Sequence, residues 1–169
     1  MNDWINAWRN DVIAVYRNHQ KLAEGALEQI DDTAFFHVFG DRSPPIAIVV
    51  KHVGGNLRSR WTDFLITDGE KPDRNRDGEF AVAESDTRES IMAIWSRGWA
   101  ILYATLESLS PDDCQRTVTI RGESLTVPQA INRSLAHTAY HVGQLTYLCR
   151  LLATGEWKWL TMPPKGTPR

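Results

Sequence analysis

Apolar residues recur every three or four positions through long tracts of this chain, a period that belongs to helices. From about Asn2 to Ile30, residues including Trp4, Ile5, Trp8, Val12, Tyr16 and Leu27 trace one stripe. A second helix is predicted from Pro44 to about Thr67. Ser43 would cap it, and Pro44 and Pro45 would sit in its first turn, where a missing N–H costs little. A third follows Asp86, which stands three residues before Glu89 in a cap-like pairing. It carries Ile91, Ile94, Trp95, Leu102 and Leu106 on one face and ends near Ser110-Pro111. Thr126 and Gln129 form a capping signature for a fourth, Val127 to about Thr154, stopped by Gly155. Before it, RTVTIRGESLTV alternates β-branched and polar residues around Arg121-Gly122, as a small hairpin or an extended segment. The expectation is an all-α fold, a four-helix bundle in one domain over residues 1–169.

The 169 residues are 42% hydrophobic and 24% charged, ordinary for a globular chain and enough for a core without disulfides. A net charge of -2 gives no basic footprint for nucleic acid. Two cysteines are too few for a disulfide framework, which reads as a reduced chain. The first residues, MNDWINAWRNDVIAVY, lack the pattern of a signal peptide, and PIAIVV is too short to span a bilayer. These features predict a cytoplasmic protein with neither membrane nor nucleic-acid partners.

Two motifs suggest metal. The stretch DRNRDGEFAVAE matches the calcium-loop pattern at Asp73, Asn75, Asp77, Gly78 and Glu84, with an apolar Phe80 at the eighth position. Its context opposes that reading. A calcium loop needs a helix entering its first position, and TDGEKP, with Gly69 and Pro72, breaks one. No second loop is present to pair with it, and Arg74 and Arg76 add positive charge. The alternative is a polar connection built from turn-forming residues.

The second motif is HTAYH. His137 and His141, four apart, lie on one helix face with Cβ atoms roughly 5–6 Å apart, close enough to share one metal or simply to pack. His52 stands on the second helix in KHVGGNLRSRW, directly before Gly54 and Gly55. Two glycines cost a helix interior roughly 1 kcal/mol each and need a close neighbour to justify them. An approach of the fourth helix there, helped by Gly143, would bring His52 toward His137 and His141. The same glycines are equally consistent with a tight crossing that holds no metal.

A single histidine on the second helix with H-x-x-x-H on the fourth resembles the DinB/YfiT-like superfamily of metal-binding four-helix proteins. KHVGGNLRSRWTDFLITDGEKPDRNRDGEF, SLAHTAYHVGQLTYLCRLL and WKWLTMPPKGT are similar to one uncharacterised bacterial branch, over nearly the whole chain. The resemblance implies that His52, His137 and His141 are metal ligands, with zinc or nickel as the ion, and that the protein is a homodimer. Some members transfer low-molecular-weight thiols or isomerise substrates with their help. The resemblance also places RNRDGEF in the loop after the second helix, near the mouth of the site.

Three nitrogen ligands leave zinc at least one open position, the pattern of catalytic sites. Asn56, one turn beyond His52, and Gln144, three residues beyond His141, are candidates to contact the metal-bound ligand, or else to bond between helices. Tyr140 and Tyr147 are candidate proton donors or core aromatics. Arg58 and Arg60 can hold a substrate carboxylate or pair with Asp63 and the acidic loop. Cys149 lies about 12 Å along the axis from His141 and belongs to the core. No protease, serine-hydrolase or P-loop signature is present. The expected function is therefore metal-dependent transfer or hydrolysis of a small molecule, with or without a low-molecular-weight thiol. The alternative is a non-catalytic, stress-related metal-binding protein whose ion tethers two helices.

Overall fold

The computed structural model describes residues 3–40 and 43–166. Five helices and one short hairpin follow in the order α1 (Asp3–Leu27), α2 (Asp32–Phe35), α3 (Ile46–Trp61), α4 (Arg88–Ser108), β1 (Thr117–Ile120), β2 (Glu123–Thr126) and α5 (Val127–Leu152). The fold is all-α overall, with the hairpin as its one sheet among the described residues. The proposed start of the first helix at Asn2 lies outside the described residues. Helix α2 was not foreseen. It is a single turn capped by Asp31, whose carboxylate accepts the Ala34 N–H at 2.8 Å.

Helix α3 is shorter than predicted at both ends. It starts at Ile46 rather than in a proline-led turn capped by Ser43: Pro45 is the cap residue, in extended conformation, with no side-chain cap bond. It ends at Trp61, where Thr62 turns extended, and Asp63 then takes a positive φ of 48°. The start of α4 also differs. Thr87 and Ser90 form its capping box, and Asp86 instead receives Lys51 Nζ at 2.7 Å and the Ala83 N–H at 2.9 Å. Asp86 therefore ties the preceding loop to α3. The capping box of Thr126 and Gln129 forms as expected. Helix α5 ends at Leu152, short of Gly155, with Ala153 at its C-cap.

The four long helices pack α3 on α4 and α5, and α1 on α4 and α5. The stripes meet in one core in which Tyr16, Trp61, Trp95 and Trp99 are almost fully buried. Tyr16 sets its ring edge against Trp61 and Trp99 at centroid distances of 6.3 and 6.1 Å, a favourable aromatic geometry. The Trp61 indole also donates to Ser134 Oγ at 3.2 Å, pinning α3 to α5. On α1 the predicted stripe drifts outward at its start, where Trp4 is 67% exposed.

The glycine pair does not serve the contact expected of it. A Cβ at Gly54 would stand 2.8 Å from the backbone of Ile94 and Trp95 on α4, and one at Gly98 would meet the backbone of Gly54. Gly54 and Gly98 therefore bring α3 and α4 together, and α5 is not the partner. Gly55 faces the carboxylate of Glu79, whose Cδ would lie 2.8 Å from an added Cβ. Gly143 has nothing within 4 Å and supports no close packing.

Candidate metal centre

Helix α3 carries His52 at its middle, and α5 presents His137 and His141 one turn apart on the face toward α3. Ring centroids are 5.3 Å apart for His52–His137, 5.0 Å for His52–His141 and 4.6 Å for His137–His141. One nitrogen from each lies within 4.8 Å of the other two, close enough to hold a metal ion. His52 Nε2 and His137 Nε2 are 3.3 Å apart. Two nitrogens bound at about 2.0–2.1 Å to one tetrahedral ion would stand roughly that far apart.

Two partners orient the rings. Glu79 Oε2 lies 2.9 Å from His52 Nδ1. A carboxylate only accepts, so Nδ1 donates to it, which turns Nε2 toward the cluster. Gln144 Oε1 lies 2.8 Å from His141 Nδ1 and acts in the same way. The resulting bare His141 Nε2 is buried and has no hydrogen-bond partner. A buried acceptor without a partner is costly, and a cation at this point would satisfy it. The donor set and its orientation thus fit a metal, with a carboxylate behind one histidine in the arrangement common to metal sites.

Both α5 histidines are held neutral. Burial drives His137 down to about 3, helped by the neighbouring imidazoles and by Arg60 and Arg74. Burial likewise drives His141 down to about 4, against the Gln144 bond. Neutral imidazole is the metal-binding form. Burial alone would raise the Glu79 carboxyl, but bonds from His52 and Arg74 outweigh it and hold the group below its usual range. Arg74, whose side chain is 4% exposed, grips Glu79 through Nε at 2.8 Å and Nη2 at 2.7 Å.

The apparent calcium loop supplies this carboxylate. Its formal ligand positions do other work: Asp73 pairs with Arg58, Asn75 Oδ1 accepts the Gly78 N–H, and the Asp77 side chain is fully in water. Glu79 occupies position seven, where the pattern asks only for a backbone carbonyl. Sequence reasoning missed it because no spacing rule joins it to His52. The one available signal was the expected position of RNRDGEF beside the site mouth.

The three histidines line a cavity of about 310 Å³ that also includes Asn56, Arg60, Phe80 and Tyr140. Phe80 lies tilted against His52 at a centroid distance of 4.7 Å and Tyr140 against His141 at 4.1 Å, and both are about half exposed. Asn56 is buried in this wall. Gln144 stands behind His141 and does not line the cavity. Tyr147, 71% exposed, and Arg58 also lie outside it. Cys149 is buried, and burial pushes its thiol up to about 12.

No curated protein and no solved structure matches the chain. A family model described as "Protein of unknown function (DUF1572)" matches residues 3–166, nearly the whole length. On that match, the chain belongs to the DUF1572 family.

Proposed function

We propose that this protein holds one divalent transition metal, zinc or nickel, on His52, His137 and His141, and uses it in a transfer or hydrolysis reaction on a small molecule. The observation that carries the reading is the convergence of three imidazole nitrogens on an open cavity, with the buried His141 Nε2 left without a partner. His52, His137 and His141 would hold the ion, and the chemistry it would supply is activation of a water or thiol and polarisation of a carbonyl. Glu79 and Gln144 fix the two rings, Asn56 and Tyr140 face the reacting space, and Phe80 limits water beside His52. The resemblance of the sequence to the DinB/YfiT-like superfamily supports a low-molecular-weight thiol as cosubstrate and a homodimer as the assembly.

A structural ion joining α3 to α5 is the competing reading, favoured by the placement of the ligands on two helices. The volume beside the histidines favours catalysis. The test is metal analysis by mass spectrometry of untagged protein purified without chelator, beside the His137→Ala/His141→Ala double variant. One transition metal per chain, lost in the variant, is expected. A wild-type protein that carries none and cannot be reloaded with zinc or nickel would overturn the reading.

A further inference from the structure

The cavity beside the histidines has a second chemical feature. Arg60, Arg74, Arg76, Arg121 and Arg133 line it, and among the described residues no carboxylate does. The acidic partners stand behind the guanidinium groups. Glu70 alone serves three of them: Arg60 at 3.1 Å, Arg74 at 3.3 Å and Arg121 at 2.8 Å. Arg74 is also held by Glu79 at 2.7 Å, so two carboxylates, both outside the cavity lining, serve three guanidiniums.

The arginines form two tiers. Arg60 and Arg74 are nearly buried, at 11% and 4% side-chain exposure. Arg76, Arg121 and Arg133 are about half exposed and keep unused donors among the described residues. Arg121 spends only Nε on Glu70, Arg133 spends Nη1 on Glu123, and Arg76 has a 3.9 Å contact to Asp77 while lying over the Phe80 ring.

The placement of Arg121 is specific. It sits in the two-residue hairpin turn at φ 56°, followed by Gly122 at 75°. Such a turn favours Asn or Gly at its first position, and an L-residue with a full side chain adopts that conformation at a cost. Asp68 holds the turn, its carboxylate accepting the N–H of Arg121 at 2.8 Å and of Gly122 at 2.9 Å. A strained residue locked by a dedicated partner points to function at that side chain.

We infer that the substrate or cosubstrate is an oxyanion, a small molecule bearing a carboxylate or phosphate, docked by Arg76, Arg121 and Arg133 at the cavity rim. Guanidinium forks bind such groups in two-point geometry, and a cationic rim concentrates anions at the mouth. The assignment rests on reading the cavity as the substrate site.

Calorimetric titration of the zinc-loaded protein with glutarate, inorganic phosphate and neutral glutaramide tests it. Saturable binding of an anion and none of glutaramide is expected. Arg121→Gly and Arg133→Gln should each weaken the anion about ten-fold, the scale of one charged hydrogen bond. Arg17→Gln, remote from the cavity, should leave it unchanged. Arg121→Gly relieves the positive φ, so its melting temperature should stay at or above that of wild type while the affinity falls. Equal affinity of wild type and Arg121→Gly, equal binding of glutarate and glutaramide, or no anion binding at all would overturn the inference. The His137→Ala/His141→Ala variant separates the two readings. Anion binding that survives there, with zinc lost, leaves the rim standing independently. Anion binding abolished there but intact in the rim variants assigns it to the metal and overturns the rim.

Discussion

Glu79→Gln puts the largest weight on the proposed architecture. The wild-type carboxylate accepts from His52 Nδ1 and from two nitrogens of Arg74, all in a nearly dry environment. Removing one partner of a buried ion pair costs about 3–5 kcal/mol. Here glutamine retains one acceptor oxygen, and Glu70 still faces Arg74 at 3.3 Å, so the loss is about 2 kcal/mol. For a chain of this length that lowers the melting temperature by roughly 6 °C. The second effect is on metal. Loss of the charge behind His52 weakens the imidazole as a donor, and metal affinity falls about 10–100-fold. Urea unfolding of the metal-free protein reads the first quantity, and zinc competition against a chromogenic chelator reads the second. Arg74→Gln serves as the control, since it breaks the same ion pair but leaves Glu79 on His52. It should match the stability loss and keep more of the affinity. Zinc affinity within about two-fold of wild type in Glu79→Gln would refute the role of Glu79 behind the metal and leave it a plain ion pair.

Other outcomes follow from the same contacts. Gly54→Ala drives a methyl group into the backbone of α4, and despite the better helix propensity of alanine it should destabilise by about 2 kcal/mol in urea unfolding. Gly143→Ala, which meets nothing, should stabilise by up to about 1 kcal/mol in the same assay. The metal-free protein should weaken in acid. His137 and His141 titrate at about 3 and about 4 when folded, below the ordinary 6.5, so the unfolded chain takes up protons first as pH falls below 6.5. At pH 5.5 the loss is about 2 kcal/mol, allowing for partial solvent access, and Glu79, depressed in the fold, adds to it below 4.5. Denaturant midpoints from pH 7.5 to 5 check the sign. A midpoint that rises on acidification would refute it.

Much of the helical architecture was legible because its causes are local. A 3.6-residue stripe, a T-x-x-Q cap and an Arg-Gly turn each act within a few residues, and α1, α5 and the hairpin formed close to where they were expected. Local rules failed where two determinants competed. At Pro44-Pro45 the chain stays extended before the helix begins, and at Asp86 a lysine on α3 takes the carboxylate that the cap would have used. The pair His137 and His141 was equally local, set by one helical turn.

The rest depended on distances that no spacing encodes. His52 reaches His137 across 85 residues, and Glu79 reaches His52 across 27. They meet where the Trp61–Ser134 bond pins α3 to α5 and where Gly55 leaves room for the Glu79 carboxylate. From the sequence alone came the helices and the types of residue that can bind a metal. The tertiary structure decided that a loop resembling a calcium site contributes one buried carboxylate to a histidine cluster. It also decided that five arginines face one cavity. Side-chain identity determines what chemistry is available, but only packing between distant segments brings the groups within bonding distance.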